Sequence, residues 1–184
     1  MQNRSTKEEV PNPPQDQITA LVNLYSQGRL QQALVQATQM LQRFPNSIIL
    51  YSIQGAANIA MKRPDAAIES CKKALKIKPD YADAYNNMGA AQQDKGELEA
   101  AIESYKKALK IKPDDVKTYN NMGVAQRDKG ELEAAIESYK KTLKIKPDDV
   151  KTYYNLGNAL RDKGDLEAAI ESYKKALKIK PDDV

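Results

Sequence analysis

One segment of this chain is written three times in succession. AYNNMGAAQQDKGELEAAIESYKKALKIKPDD at 84–115 returns as TYNNMGVAQRDKGELEAAIESYKKTLKIKPDD at 118–149 and TYYNLGNALRDKGDLEAAIESYKKALKIKPDD at 152–183, a step of 34 residues each time. A fixed period of this size marks a stacked array, in which each unit buries its apolar side only against its neighbours. The same register carried backwards gives two weaker copies at 48–81 and 14–47. The reading is therefore five repeats: 14–47, 48–81, 82–115, 116–149 and 150–183. Residues 1–13, with Pro11 and Pro13 and then Pro14, read as a flexible leader.

Each window predicts two helices. In the second half of 82–115, Leu98, Ala101, Ile102, Tyr105, Ala108 and Leu109 recur at i, i+3, i+4 and i+7, one apolar stripe. Tyr85, Met88 and Ala91 make the matching stripe in the first half. Between them stands Asp-Lys-Gly. Gly96 can take the left-handed conformation that ends a helix, and Glu97 and Glu99 favour the start of the next. Pro113 then stops the second helix, and Gly130, Gly164, Pro147 and Pro181 repeat the punctuation. Gly89 opposite Ala101 reads as a pair of small residues that lets the two helices approach closely.

These positions resemble the tetratricopeptide repeat (TPR) pattern of an aromatic, Leu-Gly, Ala, an aromatic, Ala and Pro. The matches are Tyr85, Met88, Gly89, Ala101, Tyr105, Ala108 and Pro113, then Tyr119, Met122, Gly123, Ala135, Tyr139 and Pro147 with Thr142 for the second Ala. The last repeat supplies Tyr153, Leu156, Gly157, Ala169, Tyr173, Ala176 and Pro181. Gln92 and Gln126 fill a place that is commonly apolar, Cys71 replaces the second aromatic, and Leu21 replaces the glycine of the first repeat. The resemblance implies an all-α fold, a right-handed α-solenoid of TPR helix-turn-helix units with the first helices lining its concave side.

The residues offer little to a catalyst. The chain has no histidine, the commonest general base and metal ligand. Cys71 lies on an apolar stripe, which predicts an inert core thiol. Glu103–Lys107, Glu137–Lys141 and Glu171–Lys175 are spaced as helix-supporting surface pairs. Phosphate loops and metal-ligand spacings do not occur, so the expectation is no enzyme, no cofactor and no metal. The net charge of +4 is spread among alternating lysines and acids, which argues against nucleic acid. One cysteine, no apolar run of membrane length and a charged start make the cytoplasm the expected location, with no membrane partner.

By the family's geometry, the open face of the first helices is a groove suited to an extended peptide. Asn87, Asn121 and Asn155 share one slot and resemble the asparagine ladder of the O-GlcNAc transferase TPR superhelix. A carboxamide can grip a peptide backbone by both donating and accepting. Lys117, Asn120, Arg127, Lys151, Tyr154, Asn158 and Arg161 are the further groove residues on this reading, and they make the later part of it more basic. The TPR carboxylate clamp is not matched, since Ala90 and Val124 stand where it needs polar residues.

The function expected is a protein-interaction scaffold with a protein or peptide partner. The alternatives are a substrate-presenting segment of a longer glycosyltransferase- or sulfotransferase-type enzyme, or a self-associating structural module. Val184 falls in register as the start of a sixth repeat. Ile170, Tyr173, Leu177 and Ile179 are accordingly expected to lack a covering helix and to form an end through which copies associate.

Overall fold

The computed structural model describes residues 12–180, and the chain divides into two compact units at Pro79 and Asp80. The leader expected over 1–13 lies outside the described residues except for Asn12 and Pro13, as do Pro181 and Val184. The described part of the first unit contains α1 (Gln15–Ser26), α2 (Leu30–Arg43), α3 (Ile48–Ala60) and α4 (Pro64–Ile77). The second contains α5 (Ala82–Asp94), α6 (Leu98–Ile111), α7 (Val116–Asp128), α8 (Leu132–Ile145), α9 (Val150–Lys163) and α10 (Leu166–Ile179). Among the described residues every regular element is a helix.

Local chemistry sets the boundaries. Asp115 and Asp149 cap α7 and α9 by accepting from the Thr118 and Thr152 amides at 3.2 and 2.9 Å. The turns inside the pairs are left-handed at Gly28, Gly96, Gly130 and Gly164, and Lys62 takes the same slot at φ 56° without being glycine. Pro64 opens α4 at its first position, where the missing N–H has no helical partner to lose.

Size complementarity holds each pair together. A Cβ on Gly89 would stand 2.7 Å from the Tyr105 ring, and one on Gly123 2.6 Å from the Tyr139 ring. The glycine therefore makes room for the tyrosine ring, a partner the sequence reading does not name. The slot is solved differently in the first unit. Gly55 faces Cys71 Sγ, and the helix pair α1–α2 inverts the sizes, with Leu21 and Ala37 both completely buried.

The polar residues in the apolar places compensate one another. Gln92 accepts from Ser104 at 2.6 Å and Gln126 from Ser138 at 2.7 Å. Where Leu160 replaces the glutamine, Ser172 turns back onto the Ala168 carbonyl at 2.9 Å. Of the expected Glu–Lys partners, Lys141 and Lys175 lie over the Tyr119 and Tyr153 rings, 5.7 and 6.0 Å from the centroids.

Candidate functional site

The first helices α5, α7 and α9 of the second unit lie side by side, and the bonds between them fix which side chains stay available. Asn86 Oδ1 accepts from Asn121 Nδ2 at 3.2 Å and lies 3.2 Å from the Thr118 hydroxyl. One step on, Asn120 Nδ2 donates to Thr152 Oγ1 at 2.6 Å. The threonine hydroxyls in turn reach the capping Asp115 and Asp149. Each helix start is thereby tied to the helix before it.

This corrects the expected openness of two groove residues. Asn120 and Asn155 are buried, because their slots sit at the contact between neighbouring first helices. Asn87 and Asn121 are half-buried. Lys117, Lys151, Tyr154 and Arg161 are exposed, with Arg127 and Asn158 half-buried beside them.

A second line of contacts runs across the C-terminal ends of the same helices. Gln93 Nε2 donates to Asp128 Oδ2 at 3.1 Å, and Arg127 lies 3.4 Å from Asp128 and 4.0 Å from Asp162. Arg161 pairs with Asp162 at 2.8 Å. The two arginines that promise a basic groove are thus each matched by a carboxylate, so the face is polar but close to neutral there. Exposed pairs of this kind contribute little to stability.

The face changes character at α9 and α10. Tyr154 is 54 % exposed, and its ring meets that of Tyr173 at 5.8 Å with the planes tilted by 52°. Tyr173 in turn donates to Asn158 Oδ1 at 2.8 Å. Together with Arg161, Ala176 and Leu177 they line a cavity of about 280 Å³. Beyond it the apolar residues named for the end are open. Ile170 is 53 % exposed, whereas its equivalents Ile136 and Ile102 are 8 % and 5 % exposed beneath the following helix pair. Leu177 is exposed as well and Tyr173 is half-buried, but Ile179, at 41 %, is no more open than its equivalents Ile145 and Ile111 at 41 and 39 %, so its exposure belongs to every repeat and not to the end.

The remaining chemistry is quiet. Burial pushes the Cys71 thiol up to about 12, so it stays protonated and a poor nucleophile at neutral pH. Among the described residues no three His, Cys, Asp or Glu side chains gather as a metal site, and no helix is long and apolar enough to cross a membrane.

Sequence reasoning missed the Asn–Thr and Gln–Asp links. Their signal was available in the constant offsets of 32 and 35 residues between Asn86 and Thr118, and between Gln93 and Asp128. Those offsets fall just short of and just past one repeat, which is where neighbouring helices touch.

Family models match most of the chain. A tetratricopeptide repeat is matched at residues 150–183, and TPR repeats at 59–96, 93–129 and 125–160. Among solved structures, a crystal structure of MamA is 29 % identical, with a TM-score of 0.76 over 86 % of this chain and 93 % of that one. A thermophilic TPR protein of Thermus thermophilus is 24 % identical, with a TM-score of 0.77 over 92 % of each chain. YrrB, described as a TPR protein with an unusual peptide-binding site, is 21 % identical, with a TM-score of 0.71 over 97 % of this chain and 90 % of its own.

Proposed function

Because the chain belongs to the tetratricopeptide repeat family of all-α interaction modules, we propose that it is a scaffold binding an extended peptide along the first-helix face of residues 80–180. The observation that carries this reading is the cavity between α9 and α10. Its walls are the rings of Tyr154 and Tyr173 and the side chain of Leu177, and its rim is Asn158 and Arg161. An apolar pocket with a few fixed polar groups suits one anchoring side chain of a ligand. From that anchor the peptide runs past Lys151, Asn121 and Lys117 towards Asn87, whose amides serve its backbone. The peptide-binding site described for YrrB agrees in kind with this reading.

Random 12-residue peptides displayed on phage and selected on the intact chain test it. Replacing an aromatic anchor typically costs about 2 kcal/mol, so Tyr154→Ala should weaken the selected peptides about thirtyfold. Selected peptides that bind Tyr154→Ala as tightly as the parent would remove the groove from consideration.

The exposure of Ile170 and Leu177 supports a second role for the same end, association between copies through α10. Light scattering over a hundredfold concentration range should then show a rising mass for the parent chain. Ile170→Lys with Leu177→Lys should hold the mass at that of one chain. A parent that stays monomeric throughout excludes this role and leaves the peptide reading untouched.

A further inference from the structure

One stripe of each first helix follows the spacing i, i+4, i+7 and i+11. In α5, α7 and α9 it begins with Asp83, Lys117 or Lys151 and ends with Asp94, Asp128 or Asp162. The same register in α3 gives Ile49, Ile53, Ala56 and Ala60. Its two ends are exposed and its middle is half-buried, with Ile49 46 % open where the other repeats place a charge. Ile48–Ala60 contains no Asp, Glu, Lys or Arg at all. Val22 of the neighbouring α1 stands in the slot of Ala56 and is exposed too. Leu50, Gly55 and Ala57 already bury the other side of α3, so this helix is apolar on its open side as well. A face of that kind calls for a cover.

The chain carries a stripe of the same spacing on α10, Leu166, Ile170, Tyr173 and Leu177. Leu166 is 59 % exposed, whereas its equivalents Leu98 and Leu132 are half-buried, and Ile170 and Leu177 are open as described above. Both stripes run about 16 Å along their helices at 1.5 Å per residue. Laid antiparallel, they agree in size and in charge. Leu166 and Ile170 fall on Ala60 and Ala56, large against small. Asp165 and Glu167 come to the end of α3 that is followed by Lys62 and Arg63. Residues 1–11 are a poorer match, with charged side chains at Arg4, Lys7, Glu8 and Glu9 and no apolar stripe of this spacing.

We propose that the open face of α3 receives α10 of a second copy of this chain, packed antiparallel. The proposal rests on the association reading above and names the surface that α10 meets. The contact joins two different patches, so each copy offers one of each kind.

Two variants block one face apiece. Ile49→Lys with Ala60→Asp gives α3 the residues that α7 carries in the same slots, Lys117 and Asp128. Both positions are exposed, so its melting temperature should stay within about 2 °C of the parent's. Ile170→Lys with Leu177→Lys blocks α10. Each variant should associate about a hundredfold more weakly than the parent, because charge replaces the centre of the contact. By light scattering the parent's mass should rise with concentration and each variant should stay at one chain. An equimolar mixture of the two variants contains one intact α3 face and one intact α10 face. It should form pairs and stop at two chains.

An α3 variant that associates as tightly as the parent overturns the pairing and leaves association through α10 standing. An α10 variant that still associates overturns it in favour of contact between two α3 faces. A mixture that stays at one chain overturns it as well, since neither face then recognises the other. A parent that is monomeric throughout removes the association reading and this pairing together.

Discussion

Replacing Tyr139 by alanine should destabilise the second unit by about 3–5 kcal/mol, the usual cost of emptying a buried aromatic site. Gly123→Leu alone should be as harmful, about 3 kcal/mol or more. Its first added carbon already lies 2.6 Å from the ring, and a packed interior cannot absorb the rest. The two changes together should recover most of the loss, to within about 2 kcal/mol of the parent. The first helix pair already carries that solution, with Leu21 in the glycine slot and Ala37 in the tyrosine slot, both fully buried. Urea denaturation of the four chains gives the coupling directly as a double-mutant cycle. Additive losses would show that the pairing of sizes does not decide the packing.

The second large effect separates two adjacent asparagines. Asn86 is buried, and its Oδ1 accepts from Asn121 beside the Thr118 hydroxyl. Asn86→Ala should therefore cost about 1–3 kcal/mol, because it strands polar groups between two helices. Asn87, one residue on and half-buried, should lose less than about 0.5 kcal/mol on the same change. Peptide affinity should respond the other way round, falling with Asn87→Ala at unchanged melting temperature. If the two variants melt alike, the helix-to-helix bond at Asn86 has been given too much weight.

The all-helical repeat architecture was legible in the sequence, because three near-identical copies show the period without any reference to propensity. Helix ends followed the same punctuation: Gly96, Gly130 and Gly164 are left-handed as expected. The candidate site was less legible. Periodicity says which residues share a slot, but it does not say which slots lie at the seam between neighbouring helices. Asn87, Asn121 and Asn155 look equivalent in sequence, yet Asn155 is buried while Asn87 is half-open.

Helices α6 and α10 are the same fourteen residues, LEAAIESYKKALKI, set in different company. Ile102 and Tyr105 of the first copy are buried, while Ile170 of the second is open and Tyr173 half-buried. Intrinsic helix propensity and within-helix pairing are identical in the two, so they cancel in any comparison between them. The chain therefore contains its own control experiment. The difference in amide-exchange protection between matched positions isolates what neighbouring helices add to a repeat, the coupling constant of a one-dimensional lattice, without a single substitution.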